Sequence, residues 1–289
     1  MRELGSARPR TTAPVPSTSR RTFLQLAGFA ASWPLLARGQ ESSSSAELPL
    51  RTTGLEHLGL LVPDVASAGR FYVRVFDPAL HKEREPPLRY YVPLGVGYIA
   101  IGAAGERPTQ IDHYCALVEG YDPRAMAERL QADGLPVGRF GMIPDPDQLR
   151  LQLLRVPGGL ATSTEPAGRI ADEEPVVTPL ALEHVLLRVS DLDRALPFYR
   201  TFFGRESTRT AGSEPVWFQI ADTRLGLQGT AAGETPRIER FCVKVAAFDR
   251  NAVAAKLATL GATLVVSAND GNELRFTDPD GINVALRTA

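Results

Sequence analysis

Histidine and cysteine are the side chains of this chain best suited to metal binding and proton transfer. The 289-residue sequence contains only four histidines and two cysteines. His184 follows His57 by 127 residues (184 − 57), and Cys242 follows Cys115 by the same number (242 − 115). A histidine in an apolar strand is either a metal ligand or a hydrogen-bonded core residue. The two cysteines are predicted to be small buried hydrophobic residues.

The sequence around His57 occurs twice. Leu55–Phe76 reads LEHLGLLVPDVASAGRFYVRVF, and Leu182–Phe203 reads LEHVLLRVSDLDRALPFYRTFF. Each copy has an apolar run typical of a strand, then an Asp suited to a helix N-cap, then apolar residues at helical spacing. Several matched residues at one fixed offset indicate a tandem duplication of a whole domain.

The pattern L-x-H, apolar run, D-x-x-x-A-x-x-F-Y-x-x-x-F resembles the opening module of the vicinal oxygen chelate (VOC) superfamily. That superfamily includes glyoxalase I, extradiol dioxygenases and bleomycin-binding proteins. The resemblance implies an α+β fold with two tandem domains. Each domain would be a pair of βαβββ modules that form a curved, open-barrel sheet with a cleft.

The domain organisation follows from composition and from the repeat. We expect a signal peptide over residues 1–39, a polar spacer over 40–51, domain 1 over 52–157, a linker over 158–180 and domain 2 over 181–289. The predicted linker is rich in Pro, Gly and charged residues, which are typical of a connecting segment.

The N-terminal segment Ser19–Gln25 reads SRRTFLQ and resembles a twin-arginine export signal. The apolar run after it is shorter than the roughly 20 residues that a membrane span needs. We therefore expect a periplasmic or extracellular protein that meets the Tat translocase during export. Contact with the membrane is expected only through the signal segment.

Charge and composition narrow the range of partners. The net charge is −1, and 44% of the residues are hydrophobic. Acidic and basic residues are interspersed without a basic stripe, which excludes a nucleic-acid-binding surface. The expected partner is a small-molecule substrate, and the sequence leaves open whether the chain forms a homodimer.

The resemblance also implies the position of a metal, because VOC ligands come from the first strand of each module and the last strand of the second. In domain 1 these positions hold His57, His113 and Gln152. Gln152 is placed by its distance from Asp147, which it follows by five residues. Two imidazoles and one oxygen would leave three open positions on one octahedral divalent cation (Fe²⁺, Mn²⁺, Zn²⁺ or Ni²⁺). Gln replaces the usual Glu, which weakens the case for ferrous dioxygenase chemistry.

In domain 2 the corresponding positions hold His184, Arg240 and Ala285. Arginine does not bind a cation, and alanine has no donor atom. Domain 2 is therefore predicted to lack a metal site of this kind, and its Arg240 has no assigned role.

Three further residues are candidates for catalysis. Strand alternation places Arg150 on the same face as Gln152, where it would hold an anionic substrate unless it is a rim residue. Tyr91 and Tyr98 lie on predicted strands beside the cleft, where they would act as general acids or wall residues unless they pack in the core.

Two classes of function follow. The first is a metal-dependent enzyme for a small substrate with vicinal oxygens, either an extradiol-type dioxygenase or a glyoxalase-type lyase or isomerase. The alternative is a metal-free protein that sequesters a small molecule, as bleomycin-binding proteins do. The enzyme requires His57, His113 and Gln152 to converge within a few ångströms.

Overall fold

The computed structural model describes residues 46–77, 79–138, 141–156, 158–160, 163–169, 174–207, 215–265 and 273–289. Residues 42–289 form one compact unit. The predicted signal peptide and the start of the spacer lie outside the described residues, so export remains a prediction from the sequence. Within the described ranges, no helix combines the length and apolarity needed to cross a membrane.

The fold is α+β, as predicted. The elements of the first half are β1 Thr52–Val62, α1 Val65–Val75, β2 Ala79–Glu83, β3 Arg89–Pro93, β4 Tyr98–Ala103, β5 Gln110–Val118, α2 Pro123–Ala132, β6 Met142–Pro144, β7 Arg150–Arg155 and β8 Thr164–Arg169. Those of the second half are β9 Pro179–Val189, α3 Leu192–Phe203, β10 Val216–Ile220, β11 Thr223–Gly229, β12 Arg237–Val245, α4 Arg250–Thr259, β13 Thr263–Val265, β14 Glu273–Thr277 and β15 Asn283–Thr288.

Each helix begins after an aspartate. The carboxylates accept hydrogen bonds from backbone N–H groups of the first turn, which have no partner within the helix. These N-cap residues are Asp64, Asp122, Asp191 and Asp249. The N-caps of α1 and α3 are the repeated aspartates that the sequence singles out.

The strands form one curved, unclosed sheet with the central order β10-β11-β9-β12-β5-β1-β4-β3-β2-β8. In the first half, β1 pairs with β4 in parallel and with β5 antiparallel. In the second half, β9 pairs with β11 in parallel and with β12 antiparallel. The two halves join where Ile238 of β12 pairs with Ile111 of β5. Strand β8 was not expected, because its sequence lies in the predicted linker.

Two buried tyrosines tie the halves together. The hydroxyl of Tyr72 in α1 donates to Asp278 Oδ2 of the second half at 2.7 Å. The hydroxyl of Tyr199 in α3 donates to Asp145 Oδ2 of the first half, also at 2.7 Å. The tyrosines come from the repeated F-Y pairs, and the aspartates come from the two D-P-D turns. Each motif thus stabilises the opposite half.

Replacing Tyr72 with Phe should destabilise the protein by about 1–3 kcal/mol, because Asp278 Oδ2 would lose its buried donor. Urea unfolding measures the change. Tyr90→Phe is the control, since Tyr90 packs beside α1 and is only partly buried; its effect should stay within about 0.5 kcal/mol. Equal effects of the two substitutions would contradict the assigned role of the Tyr72 hydroxyl.

Candidate metal centre

The three predicted ligands lie on neighbouring strands. His57 is on β1, His113 on β5 and Gln152 on β7, and β5 pairs with both of the other strands. Successive residues of a strand face opposite sides of the sheet. The residues next to them in sequence belong to the hydrophobic core: Leu58, Tyr114 and Leu151. The predicted ligands therefore project from the face opposite that core.

These side chains converge. His57 Nε2 lies 3.0 Å from Gln152 Oε1. The ring centroids of His57 and His113 are 5.5 Å apart, edge to face. Two ligand atoms in neighbouring positions of an octahedral ion, each about 2.1 Å from it, are about 3.0 Å apart. The spacing of His57 and Gln152 thus fits a shared cation.

Gly59 provides the seat for His113. The two residues are paired across β1 and β5. A Cβ at Gly59 would lie 2.1 Å from Cε1 of the His113 ring, far closer than atoms can approach. The absence of a side chain at Gly59 therefore lets this imidazole lie flat against β1 and reach the site.

Both histidines are held by the acidic residue that precedes them in the chain. His57 Nδ1 lies 3.0 Å from Glu56 Oε2, and His113 Nδ1 lies 2.9 Å from Asp112 Oδ2. Donation from Nδ1–H leaves Nε2 with the lone pair that binds a metal. Glu56 and Asp112 were not predicted as site residues, although an acidic residue directly precedes each histidine in the sequence.

A backbone irregularity makes the contact between Glu56 and His57 feasible. In β1 the register with β5 shifts between Leu55 and Leu58, so three steps along β1 match two along β5. Such a bulge breaks the strict alternation of side chains. The irregularity was not readable from the residue types.

The protonation states suit metal binding. Burial lowers the pKa of His57, and burial together with the charge of Arg89 lowers the pKa of His113 to about 4. Both rings are therefore neutral at pH 7. His57 Nε2 and Gln152 Oε1 are in hydrogen-bond contact at 3.0 Å. A cation bound by both atoms would replace that contact.

The tyrosines form a wall beside the site. The ring of Tyr98 stacks on His57 with centroids 4.5 Å apart and planes 11° apart. Tyr91 lies behind it, 5.8 Å from Tyr98 and with its hydroxyl donating to Glu83. Burial raises the pKa of Tyr98, and burial and Glu83 raise that of Tyr91 to about 12. Tyr98 is thus the better placed of the two predicted catalytic tyrosines.

Arg150 holds another residue instead of projecting freely. Its Nη2 pairs with Asp112 Oδ1, and its Nε lies 3.4 Å from the Asp112 carbonyl oxygen. The same carboxylate accepts from His113. The structure therefore gives Arg150 a positioning contact on a ligand's partner, whereas the sequence suggested a group that binds substrate.

Gly158 and Gly159 are exposed and lie against the carboxylate of Glu56. The backbone N–H of Gly159 donates to Glu56 Oε1. A Cβ at Gly158 would lie 1.7 Å from that oxygen. The segment leads from β7 to β8, which lie on opposite sides of β1 in the sheet. Part of the predicted linker is thus a component of the candidate site.

The second half has a different interior. His184 is fully buried, and its Nδ1 is bonded to Glu183. Glu183 also pairs with Arg224 at 2.6 Å and with Arg287 at 3.4 Å. These guanidinium groups occupy the region around His184 with positive charge. Together with Arg240 and Ala285 at the other ligand positions, they argue against a cation there.

Comparisons with known proteins identify the fold. Residues 184–286 match the family described as a glyoxalase-like domain. A search of curated protein sequences finds no match. The manganese(II)-bound glyoxalase from Novosphingobium aromaticivorans is 15% identical, with a TM-score of 0.59 over 83% of each chain.

Two dioxygenase structures are similar to this chain to the same degree. A catechol 2,3-dioxygenase is 18% identical, with a TM-score of 0.60 over 83% of this chain and 88% of its own. An extradiol ring-cleaving dioxygenase from B. fuscum is 15% identical, with a TM-score of 0.60 over 84% and 73%. At these identities the likeness establishes the fold alone. Residues 184–286 are therefore a glyoxalase-like domain, and the chain shares its fold with these glyoxalase and dioxygenase structures.

Proposed function

We propose that this protein is a divalent-metal-dependent enzyme that acts on a small substrate with two neighbouring oxygen atoms. The observation that carries the proposal is the 3.0 Å approach of His57 Nε2 to Gln152 Oε1, beside His113 and among side chains that fix both imidazoles. Two imidazoles and one amide oxygen thus lie close enough together to share one cation.

Different residues of the first half would bind the metal and contact the substrate. His57, His113 and Gln152 would hold the metal and leave three positions for substrate and a second reactant. A bound cation would act as a Lewis acid on the substrate oxygens. Tyr98 forms the wall against which a flat substrate would lie, and Gly159 holds the Glu56 carboxylate that orients His57.

The identity of the third ligand favours one branch of the superfamily. Ferrous oxygenases of this type use two histidines and one carboxylate. Here the third position holds the neutral amide of Gln152. We therefore infer glyoxalase-type or isomerase-type chemistry in preference to ring cleavage with dioxygen.

Metal content tests the proposal directly. Purified full-length protein is expected to contain about one divalent metal per chain by ICP-MS. The His57→Ala/His113→Ala variant should contain none, because one oxygen ligand does not retain the ion. His81→Ala is the matched control and should keep the metal, since His81 is on β2, three strands from β1.

Two outcomes would overturn the proposal. Absence of metal from the wild type, even after anaerobic loading with Fe²⁺, Mn²⁺, Zn²⁺ and Ni²⁺, would favour the metal-free binding protein. Equal metal content in the wild type and the double-histidine variant would place the ion elsewhere.

A further inference from the structure

A buried cysteine, Cys115, lies next to the candidate metal centre. Cys115 of β5 is the direct partner of Gln152 in β7, and paired residues of adjacent strands share a face. Donor atoms of Cys115, His57 and Glu56 lie within 4.8 Å of one another, and all three residues are buried. The thiol therefore lies beside two of the groups proposed to hold the cation, His57 and Gln152.

Of these three residues, Glu56 already uses both of its carboxylate oxygens in hydrogen bonds. Its Oε2 is bonded to His57 Nδ1, and its Oε1 accepts from the N–H of Gly159. The thiol of Cys115 has only a long contact of 3.7 Å with the carbonyl oxygen of Ala116. Sulfur is thus the donor that metal binding would recruit at least cost to the surrounding hydrogen bonds.

The net charge of the proposed ligands also favours Cys115 as a ligand. His57, His113 and Gln152 are neutral donors, so they leave the charge of a divalent cation uncompensated. A thiolate at Cys115 would supply one negative charge. Two imidazoles, one thiolate and one amide oxygen form a donor set suited to borderline-soft cations such as Zn²⁺ and Co²⁺.

We propose that Cys115 is a further metal ligand, so that the site selects Zn²⁺ or Co²⁺ over Mg²⁺ and Mn²⁺. This inference rests on the proposed function and specifies the class of metal. Binding would form a metal–sulfur bond and break the S–H bond, and the proton would pass to solvent. The test depends on the sulfur–metal bond, which a purely packed cysteine would not form.

The second half supplies a matched control. Cys242 is buried beside Glu183 and His184 with the same spacing of donor atoms. There, however, Arg224 and Arg287 both pair with Glu183. Their positive charge opposes a cation, so Cys242→Ser should resemble Cys115→Ser in packing cost but not in metal chemistry.

The experiment uses full-length apoprotein loaded with Co²⁺. We expect a thiolate-to-cobalt charge-transfer absorption in the near ultraviolet for the wild type and for Cys242→Ser. Cys115→Ser should lose this absorption and bind Co²⁺ at least about tenfold more weakly by equilibrium dialysis, since a ligand contributes at least as much as its outer partners. Circular dichroism verifies that each variant is folded.

The outcomes separate the two proposals. Cobalt bound through His57 and His113 without charge-transfer absorption would overturn the role of Cys115 and leave the proposed function intact. Absence of cobalt and zinc binding would overturn the role of Cys115, and absence of Fe²⁺, Mn²⁺ and Ni²⁺ binding as well would also overturn the proposed function. If Cys115→Ser does not fold, X-ray absorption of zinc-loaded wild type decides, because a sulfur ligand at about 2.3 Å is required and its absence refutes the inference.

Discussion

Metal affinity is expected to fall by at least about 100-fold in a Gly59→Ala variant, although the substitution adds one methyl group. The added Cβ would lie 2.1–2.8 Å from three atoms of the His113 ring. The imidazole of His113 must move away from β1, and the site then loses His113 as a ligand. Loss of an outer partner alone costs about 10–100-fold, so loss of a ligand should exceed that range. Titration with a metallochromic competitor measures the change.

Gly102→Ala is the control for this prediction. Gly102 lies on β4 of the same half, and the atoms nearest to a Cβ there are 3.9 Å away. Metal affinity should remain within about threefold of the wild type. Gly59→Ala should also cost about 1–3 kcal/mol in stability through overpacking. Unchanged affinity in a folded Gly59→Ala protein would show that His113 is not a ligand.

The second large effect is expected from Glu56→Gln. The carboxylate of Glu56 accepts from both His57 Nδ1 and Gly159 N, one on each oxygen. An amide has one acceptor oxygen, so one of these donors loses its partner, and the remaining bond lacks charge assistance. His57 would then be less basic and less firmly oriented. Metal affinity should fall by about 10–100-fold.

Competitive titration with a chelator of known affinity measures this loss. Glu83→Gln is the control, because Glu83 contacts Tyr91 and no histidine. Its effect should stay within about threefold. A Glu56→Gln protein with wild-type affinity would mean that the carboxylate serves only to hold Gly159.

The family match falls on the half that lacks the ligand set. Residues 184–286 match the glyoxalase-like domain, yet their ligand positions include Arg240 and Ala285. Family similarity here reports the pattern of strands, helices and core residues. Function depends on a few positions that such similarity does not weigh. The first half carries the donor atoms, whereas the matched residues 184–286 lie in the second half.

For Cys115, local sequence patterns predict burial but not the neighbours of the thiol in space. Its burial was predicted, because a cysteine in an apolar run is usually a small core residue. Its place beside Gln152 and next to the bulge at Glu56 depends on the pairing of three strands. Long-range register is not encoded in the residues of one strand, so the thiol could not be assigned to the site from the sequence.

The α+β class and the N-terminal ends of α1 and α3 could be predicted from local patterns, and His57, His113 and Gln152 could be proposed as ligands from their spacing relative to the family. The crossed tyrosine–aspartate bonds, the packing of His113 on Gly59, and the contact of Gly159 with Glu56 became visible only in the folded chain. Each of these joins residues far apart in the chain, and such contacts are fixed by how the whole sheet packs.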